Sequence, residues 1–533
     1  MTNLAGEQLK TDAADCSKLT IAFRVDASIV IGTGHASRCL ALANILKLRG
    51  CRCSFICRDL PGNSIESIRA SGFEVDVLPS PVKPPPGSGR TYDQWAEVRW
   101  QQDANETKGV LAEREPNWLV LDHYAFDKKW ERAVRTGVTS LMVIDDLADR
   151  EHDADILLDS NLGRQCEHYA ALVPDGCQIL VGPKFGLLRS QFAQLRAATI
   201  ANRLNRRAQN ILISMGGIDL GNATSRILRV MADFHRHGIE RCIVVMGENA
   251  PALEEVRALA TVMPFHCDVL VNVKDMGRLM SDADVAIGAV GITNWERCSL
   301  GLPSMLLTIA DNQIPSARAM ADLGAAIYLG DISCPSWMAN LPGALKTLSA
   351  TEVLTNLSAK SAAICDGDGA FRVANAISKA DLTMRYAVRT DSRRVWEWRL
   401  AGPSAKHYTK RTQGANYWDH DVWFCSALEN PETKLFIFET GTLPIGYVRL
   451  DAGGHRRATV SICVAEDQRG TGVGRKMLAL AHREAMSLNT LQLIAEIHPE
   501  NEASIRLFEG AGYIQSGRDG QFVNYSCDLE TNI

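Results

Sequence analysis

The chain contains no apolar run long enough to cross a bilayer. The stretch Met1 to Thr20 is polar and acidic and holds no signal-peptide core, so it is expected to be a loose tail. There is no surplus of positive charge: 57 Lys and Arg against 62 Asp and Glu leave a net charge of −5, which argues against a general nucleic-acid binder. The 15 cysteines lack paired spacing, so they read as reduced thiols in the cores of a cytoplasmic protein. Their densest cluster, Cys51, Cys53 and Cys57, alternates with period two and includes Phe55, which is one face of a strand rather than a metal site. No carboxylate pattern demands a divalent cation, and no metal is expected. What is present, 46% hydrophobic and 22% charged residues over 533 positions, suits a globular protein of about three domains.

The organising stretch is Ile31-Gly32-Thr33-Gly34-His35-Ala36-Ser37-Arg38. An apolar strand, Leu19 to Val25, precedes it. A helical pattern follows from Ala36 to Leu48, with Cys39, Leu40, Leu42, Ile45 and Leu46 on one face. Strand, glycine loop and helix begin a βαβ unit, and the loop leaves backbone N–H groups open to an anion. His35, where loop meets helix, is a candidate base near neutral pH. Further strands are expected at Cys51–Cys57, Glu74–Leu78, Trp118–Leu121, Ser140–Ile144, Ile156–Asp159 and Gln178–Val181, the alternation of a parallel α/β sheet. Polar residues gather at the carboxyl ends of these strands, where such sheets bind ligands: Arg24 and Asp26, Asp122-His123-Tyr124, and Asp145-Asp146. Each could equally cap a helix or close a turn. The proline-rich run Pro79 to Arg90 is a loop, read either as a lid or as a solvated insertion, with Trp95 and Trp100 on the helical stretch beyond it.

After a basic connector, Asn202 to Arg207, the α/β pattern restarts with the strand Asn210–Met215 and then Gly216-Gly217. The run Gly288 to Pro303 is a second glycine loop opening a helix. Its free amides suit a diphosphate, and Glu296, one turn in, is placed to accept hydrogen bonds from ribose hydroxyls. Ala310-Asp311-Asn312-Gln313 is another polar cluster at a strand's carboxyl end.

Two tandem α/β domains across a cleft are the plan of GT-B nucleotide-sugar enzymes. Here Arg24-Val25-Asp26, Gly32-Thr33-Gly34-His35, Asp122-His123-Tyr124, Asp145 to Arg150, Gly182-Pro183-Lys184-Phe185 with Leu188-Arg189, Ser214-Met215-Gly216-Gly217, Gly288 to Pro303 and Ala310 to Gln313 occur in that order. They resemble the pseudaminic-acid pathway hydrolases, which remove UDP from UDP-2,4-diacetamido-2,4,6-trideoxy-β-L-altropyranose and are similar to MurG-like glycosyltransferases. The resemblance implies that water attacks the anomeric carbon with inversion and UDP leaves. His35 would activate the water. Gly34, Arg189, Gly291, Thr293, Glu296, Asn312 and Gln313 would hold the substrate, without a metal.

From about Ser392 the composition becomes richer in Trp and Tyr. A strand meander is expected at Trp423–Ala427, Lys434–Glu439, Leu443–Leu450 and Thr459–Val464, with Gly446 at a bulge. The loop Asp467-Gln468-Arg469-Gly470-Thr471-Gly472-Val473-Gly474 then opens a helix over Arg475 to Ser487. A strand Leu491–Ile497 and a helix from Asn501 toward Tyr513 follow. This order resembles the GNAT N-acetyltransferases. The resemblance assigns Arg469, Gly470, Gly472, Gly474 and Asn501 to acetyl-CoA. It departs at Phe508, where many members carry a tyrosine that protonates the leaving thiolate. Tyr513 lies past the turn, and Glu466 and Glu496 are candidate bases.

The expected architecture is therefore a tail (1–18), two Rossmann-like domains in GT-B arrangement (19–200 and 201–385) and a GNAT α+β domain (386–533). The partners implied are a UDP-sugar, acetyl-CoA and other sugar-pathway enzymes, with no nucleic acid or membrane. Two readings compete with a two-activity enzyme. One is a glycosyltransferase acting on another acceptor; the other is a GNAT domain that only binds acetyl-CoA as a regulator.

Overall fold

A computed structural model describes residues 19–81, 92–204, 206–233, 238–378, 382–400, 416–441, 443–470 and 472–529. The tail, most of the proline-rich loop and Thr471 lie outside these. The chain forms two compact units, which divide between Ser378 and Lys379.

The first unit holds two parallel sheets. Strands β1 (Thr20–Val25), β2 (Arg52–Arg58), β3 (Glu74–Leu78), β4 (Trp118–Asp122), β5 (Ser140–Ile144), β6 (Ile156–Asp159) and β7 (Gln178–Val181) are ordered β3-β2-β1-β4-β5-β6-β7. Helices cover both faces, so these strands are nearly continuous apolar runs; β1 is buried from Ile21 to Val25. Cys51, Phe55 and Cys57 lie in the core of this lobe, with Cys53 packed against it. The second sheet contains β8 (Asn210–Ser214), β9 (Arg241–Met246), β10 (His266–Val271), β11 (Val285–Ala289), β12 (Ser304–Thr308) and β13 (Ile327–Asp331), ordered β10-β9-β8-β11-β12-β13.

In each sheet the strand order reverses once, between β1 and β4 and between β8 and β11. Such a switch point leaves a crevice at the strands' carboxyl ends. His35 follows β1 and Asp122 ends β4. Gly216-Gly217 follows β8, and the Gly288–Gly291 segment leaves β11. The sequence thus places its glycine loops at both crevices.

The lobes exchange helices. The Ser190–Asn202 helix, assigned by sequence to the first domain, buries Phe192 in the second lobe's core beside Met280 and Trp295. The Gly369–Ser378 helix returns to the first lobe, where Ala370, Val373, Ala374 and Ile377 join the core. Two Rossmann-like lobes tied by a returning helix have the GT-B plan.

The second unit is a mixed sheet of β14 (Leu382–Tyr386), β15 (Thr433–Thr440), β16 (Leu443–Ala452), β17 (Arg457–Val464), β18 (Gln492–Ile497), β19 (Ile514–Asp519) and β20 (Phe522–Asp528), ordered β14-β15-β16-β17-β18-β20-β19. Strand β14 pairs with β15, so this sheet begins before residue 386. Trp423–Ala427, expected as a strand, lies within the Tyr417–Glu429 helix; Asn416 caps it, and His420 and Phe424 are buried on one face at helical spacing. At Gly446 the β15–β16 register shifts, skipping Ile445. A Cβ on Gly446 would stand 2.5 Å from the Cys463 carbonyl oxygen, which only glycine avoids. Strands β17 and β18 run parallel for only three pairs, Arg457–Thr459 with Gln492–Ile494, and then separate. No helix of the described residues is long and apolar enough to cross a membrane. Every described cysteine is a free thiol.

Candidate active site

Residues leaving β1 turn tightly through Gly32, at φ 78°, into the Gly34–Leu48 helix. His35 is thereby fixed in the helix's first turn. Its Nδ1 lies 2.6 Å from Asp122 Oδ1 at the tip of β4. Arg38, one turn further, grips the same carboxylate with two N–H groups, Nε to Oδ2 and Nη2 to Oδ1, each at 2.7 Å. Its Nη1 reaches Asp146 Oδ2 at 2.6 Å, and the Tyr124 hydroxyl donates to that same oxygen. Burial alone would raise the Asp122 carboxyl, but the Arg38 guanidinium, with His35, overrides it and holds the group well below the usual carboxylate range. Asp122 is thus an anion that can only accept, which puts the imidazole proton on Nδ1. Nε2 has no hydrogen-bond partner among the described residues, and the side chain keeps 10% of its surface exposed. A histidine with Nδ1–H anchored and Nε2 open is built to take a proton. Rings line it: Tyr124 and Trp95 meet the imidazole edge-on at 4.7 and 5.7 Å, and Trp95 stacks on Tyr124 at 5.2 Å.

Other strand-tip residues are structural. Arg24 bridges Asp26 and Asp103 with no exposed surface, and Arg58 shares Asp103. His123 lies against Asp26, and burial pushes its pKa down. Asp145 closes a turn by accepting from the Ala148 N–H and the Tyr169 hydroxyl. Arg38 and Asp146 complete the hydrogen-bonded group around His35 and Asp122, and the sequence alone assigns them no role. The signal for Arg38 was its position three residues after His35 on one helical face.

Opposite this tip stands the second lobe: a Cβ on Gly217 would lie 4.0 Å from Thr33 Oγ1. Ser316 Oγ donates to Asn161 Oδ1 across the lobes at 3.4 Å. Gly34 and Gly291 both have open space where a side chain would stand, and Gly291 precedes the Ile292–Ser299 helix as its N-cap. Thr293, Asn312 and Gln313 are half-buried, and Gln313 accepts the Ile309 N–H. Glu296 is buried, which raises its pKa, and Arg189 Nη2 partners it at 3.0 Å. Arg189 thus meets Glu296 at the second lobe's tip. A Cβ on Gly288 would stand 2.8 Å from the Ser214 carbonyl oxygen of the neighbouring strand, a backbone atom that cannot give way, and would also crowd the Arg297 guanidinium.

In the C-terminal unit Gly470 and Gly472 adopt φ of 78° and 83°, with no atom where a Cβ would stand. They lead into the Val473–Ser487 helix. Two such glycines ahead of a helix N-terminus leave room for a pyrophosphate to approach the backbone. Arg469 Nε donates to the Val464 carbonyl, and Gly474 packs against Leu507. Asn501 Oδ1 caps the Glu502–Glu509 helix through the Ser504 N–H. Phe508 is buried against Tyr513, whose hydroxyl lies 3.0 Å from His482 Nε2. Glu466 and Glu496 are exposed.

Residues 375–514 match the acetyltransferase (GNAT) domain family. A UDP-2,4-diacetamido-2,4,6-trideoxy-β-L-altropyranose hydrolase of Campylobacter jejuni is 28% identical over 57% of this chain and 97% of its own. An uncharacterized protein of Methanocaldococcus jannaschii is 21% identical over 95% of this chain and 99% of its own. Among solved structures, MurG of Acinetobacter baumannii superposes over 68% of this chain and 99% of its own, with TM-score 0.48 and 15% identity. The chain thus joins a segment homologous to a UDP-sugar hydrolase to a C-terminal GNAT acetyltransferase domain.

Proposed function

We propose that this is a cytoplasmic two-activity enzyme of pseudaminic-acid biosynthesis. Its N-terminal unit hydrolyses UDP-2,4-diacetamido-2,4,6-trideoxy-β-L-altropyranose to the free sugar and UDP, and its C-terminal unit N-acetylates the UDP-4-amino-sugar precursor with acetyl-CoA. The observation that carries the first half is the 2.6 Å contact between His35 Nδ1 and Asp122, which leaves Nε2 open at the switch point of the first sheet. His35 Nε2 takes a proton from water as its oxygen attacks the anomeric carbon; the C–O bond to UDP breaks, and Asp122 stabilises the imidazolium. Gly291 and Thr293 at the start of the facing helix, with Glu296, Asn312, Gln313 and Arg189, hold the uridine diphosphate and sugar. Oriented amides stabilise the leaving charge. The homology to the Campylobacter hydrolase supports this reading.

In the second unit Arg469, Gly470, Gly472, Gly474 and Asn501 hold acetyl-CoA, which supplies an activated acetyl group. The alignment to the Methanocaldococcus protein spans both units, which suits activities used in succession. Purified full-length protein given the UDP-4-amino sugar with and without acetyl-CoA tests the proposal. UDP should be released only after acetylation, and His35→Gln should slow that release by about a hundredfold or more while acetylation persists. UDP release that requires an added sugar or lipid acceptor would instead support a glycosyltransferase. Acetyl-CoA binding without transfer would make the second unit a regulator.

A further inference from the structure

The second lobe buries a positive charge that no carboxylate among the described residues pairs with. Arg297 lies in the last turn of the Ile292–Ser299 helix and is 1% exposed. Its Nη2 donates to the Ala289 carbonyl at 2.8 Å and to Asn294 Oδ1 at 3.3 Å. Its Nε and Nη1 have no partner among the described residues, and neither has Nδ2 of Asn294, which is also buried. Glu296, the preceding residue, is engaged by Arg189 at 3.0 Å. Buried arginines of the first lobe are treated otherwise. Arg24, Arg38, Arg58 and Arg150 each hold a carboxylate at 2.6 or 2.7 Å. Arg203, buried in the connector, spends its three nitrogens on the carbonyls of Leu300, Ala283 and Met280. A buried charge without a counter-charge lowers the stability of a fold. Burial draws the Arg297 guanidinium down to about 10, so it is still charged near pH 7.

The position of this charge is specific. A Cβ on Gly288 would stand 2.2 Å from Arg297 Nη1 and 2.8 Å from the Ser214 carbonyl oxygen. Ser214 ends β8, and Gly288 is its partner in β11. The guanidinium therefore stands at the carboxyl ends of β8 and β11, where the strand order of the second sheet reverses. Its bond to the Ala289 carbonyl holds it against the segment that runs on to Gly291, the N-cap of its own helix.

We propose that Arg297 is a positioning residue for the diphosphate, whose full charge acts on the anion through the Gly288–Gly291 segment. This rests on the reading of the second lobe as the UDP site, and it adds a source of charge that the oriented amides lack. Amides present partial charges, whereas a guanidinium in dry surroundings presents a whole one that salt screens little. The leaving group gains a negative charge as the C–O bond breaks, so a fixed cation at this strand tip favours the product side of that step. The same charge lowers the stability of the free protein and raises its affinity for the diphosphate. Asn294 is the neutral neighbour that keeps the guanidinium uncompensated.

The test titrates the full chain with UDP and with uridine, and follows urea unfolding of the free protein beside it. Arg297→Met keeps the length of the side chain and removes its charge. UDP affinity should fall about tenfold or more while uridine affinity holds, and the free protein should be no less stable than wild type. Arg297→Lys should recover part of the UDP affinity. Asn294→Asp sets a carboxylate beside the guanidinium, so it should stabilise the free protein and weaken UDP binding by a similar factor. Equal UDP affinity in wild type and Arg297→Met, or an equal loss for UDP and uridine, would make Arg297 a structural tie and overturn the inference while leaving the UDP site intact. A wild type that binds UDP no better than uridine would remove the diphosphate reading of this lobe, and the inference with it.

Discussion

Two histidines of the first lobe make the same contact and are suited to opposite tasks. His35 and His152 each place Nδ1 2.6 Å from a carboxylate oxygen, of Asp122 and Glu131 respectively. His35 has nothing on its second nitrogen among the described residues. His152 Nε2 faces a second carboxylate, Asp145, across 3.9 Å, and its side chain has no exposed surface. Burial disfavours the His152 imidazolium, yet Asp145 and Glu131 outweigh it and raise the pKa to about 9. Near pH 7 His152 is charged and has no capacity to accept a proton. A histidine–carboxylate pair is a base only where the distal nitrogen is left open.

The sharpest way to break this comparison is Asp122→Asn. The amide can still sit beside His35, but it no longer enforces the Nδ1–H tautomer or stabilises the imidazolium. Hydrolysis should fall by about a thousandfold in single-turnover release of UDP. Loss of the buried anion also leaves Arg38 with one carboxylate, so thermal unfolding must be measured alongside to separate lost chemistry from lost fold. A variant that stays folded and hydrolyses at more than a tenth of the normal rate would remove Asp122 from the mechanism.

The converse variant, His152→Gln, should spare turnover and change the pH dependence of stability. The folded pKa of about 9 stands above the ordinary histidine value of 6.5, so the ion pair's contribution is complete below pH 6.5 and is lost as pH rises through 9. The span corresponds to up to about 3 kcal/mol. Urea unfolding from pH 6 to 10 should show wild type losing its advantage over His152→Gln across that window. A constant difference would mean that His152 is not charged in the fold.

Much of this contrast was legible in the chain. Parallel strands buried on both faces are short apolar runs, and those of the first lobe lie where composition puts them. His35 stood out because a glycine loop, a helix start and an imidazole coincide. The role of Asp122 did not, because Asp122-His123-Tyr124 reads the same whether a strand tip faces a ligand or a buried arginine. The neighbouring His123 belongs to the buried Arg24–Asp26 network. Trp423–Ala427 reads as a strand because its Trp and Phe content favours strands, while the helical spacing of His420 and Phe424 reveals itself only over the longer window of the Tyr417–Glu429 helix. The helices exchanged between lobes were beyond reach: amphipathic spacing specifies a face, not which core receives it.

The second lobe offers a milder test of the same contrast. On the proposed reading Glu296 binds substrate rather than reacts, so Glu296→Ala should raise the KM for the UDP-sugar about tenfold while kcat changes little. A fall in kcat with constant KM would instead give Glu296 a part in the chemical step, and the division of labour between the two sheet tips would fail.

The smallest effect is expected in the C-terminal unit, where Tyr513 poses the question that His152 poses in the first. A phenol packed against Phe508 could replace the tyrosine missing there. However, the Tyr513 hydroxyl lies 3.0 Å from His482 Nε2, and burial holds its pKa well above the ordinary tyrosine value. Its polar atom is already engaged, as the second nitrogen of His152 is already faced. Tyr513→Phe should therefore lower acetyl transfer by less than about threefold, well short of the hundredfold or more that loss of a general acid produces. The pH profile should not change, since thiolate protonation would then fall to solvent. A hundredfold loss with unchanged KM for acetyl-CoA would show instead that a partnered phenol can still deliver its proton, and openness would cease to mark the reactive group in this protein.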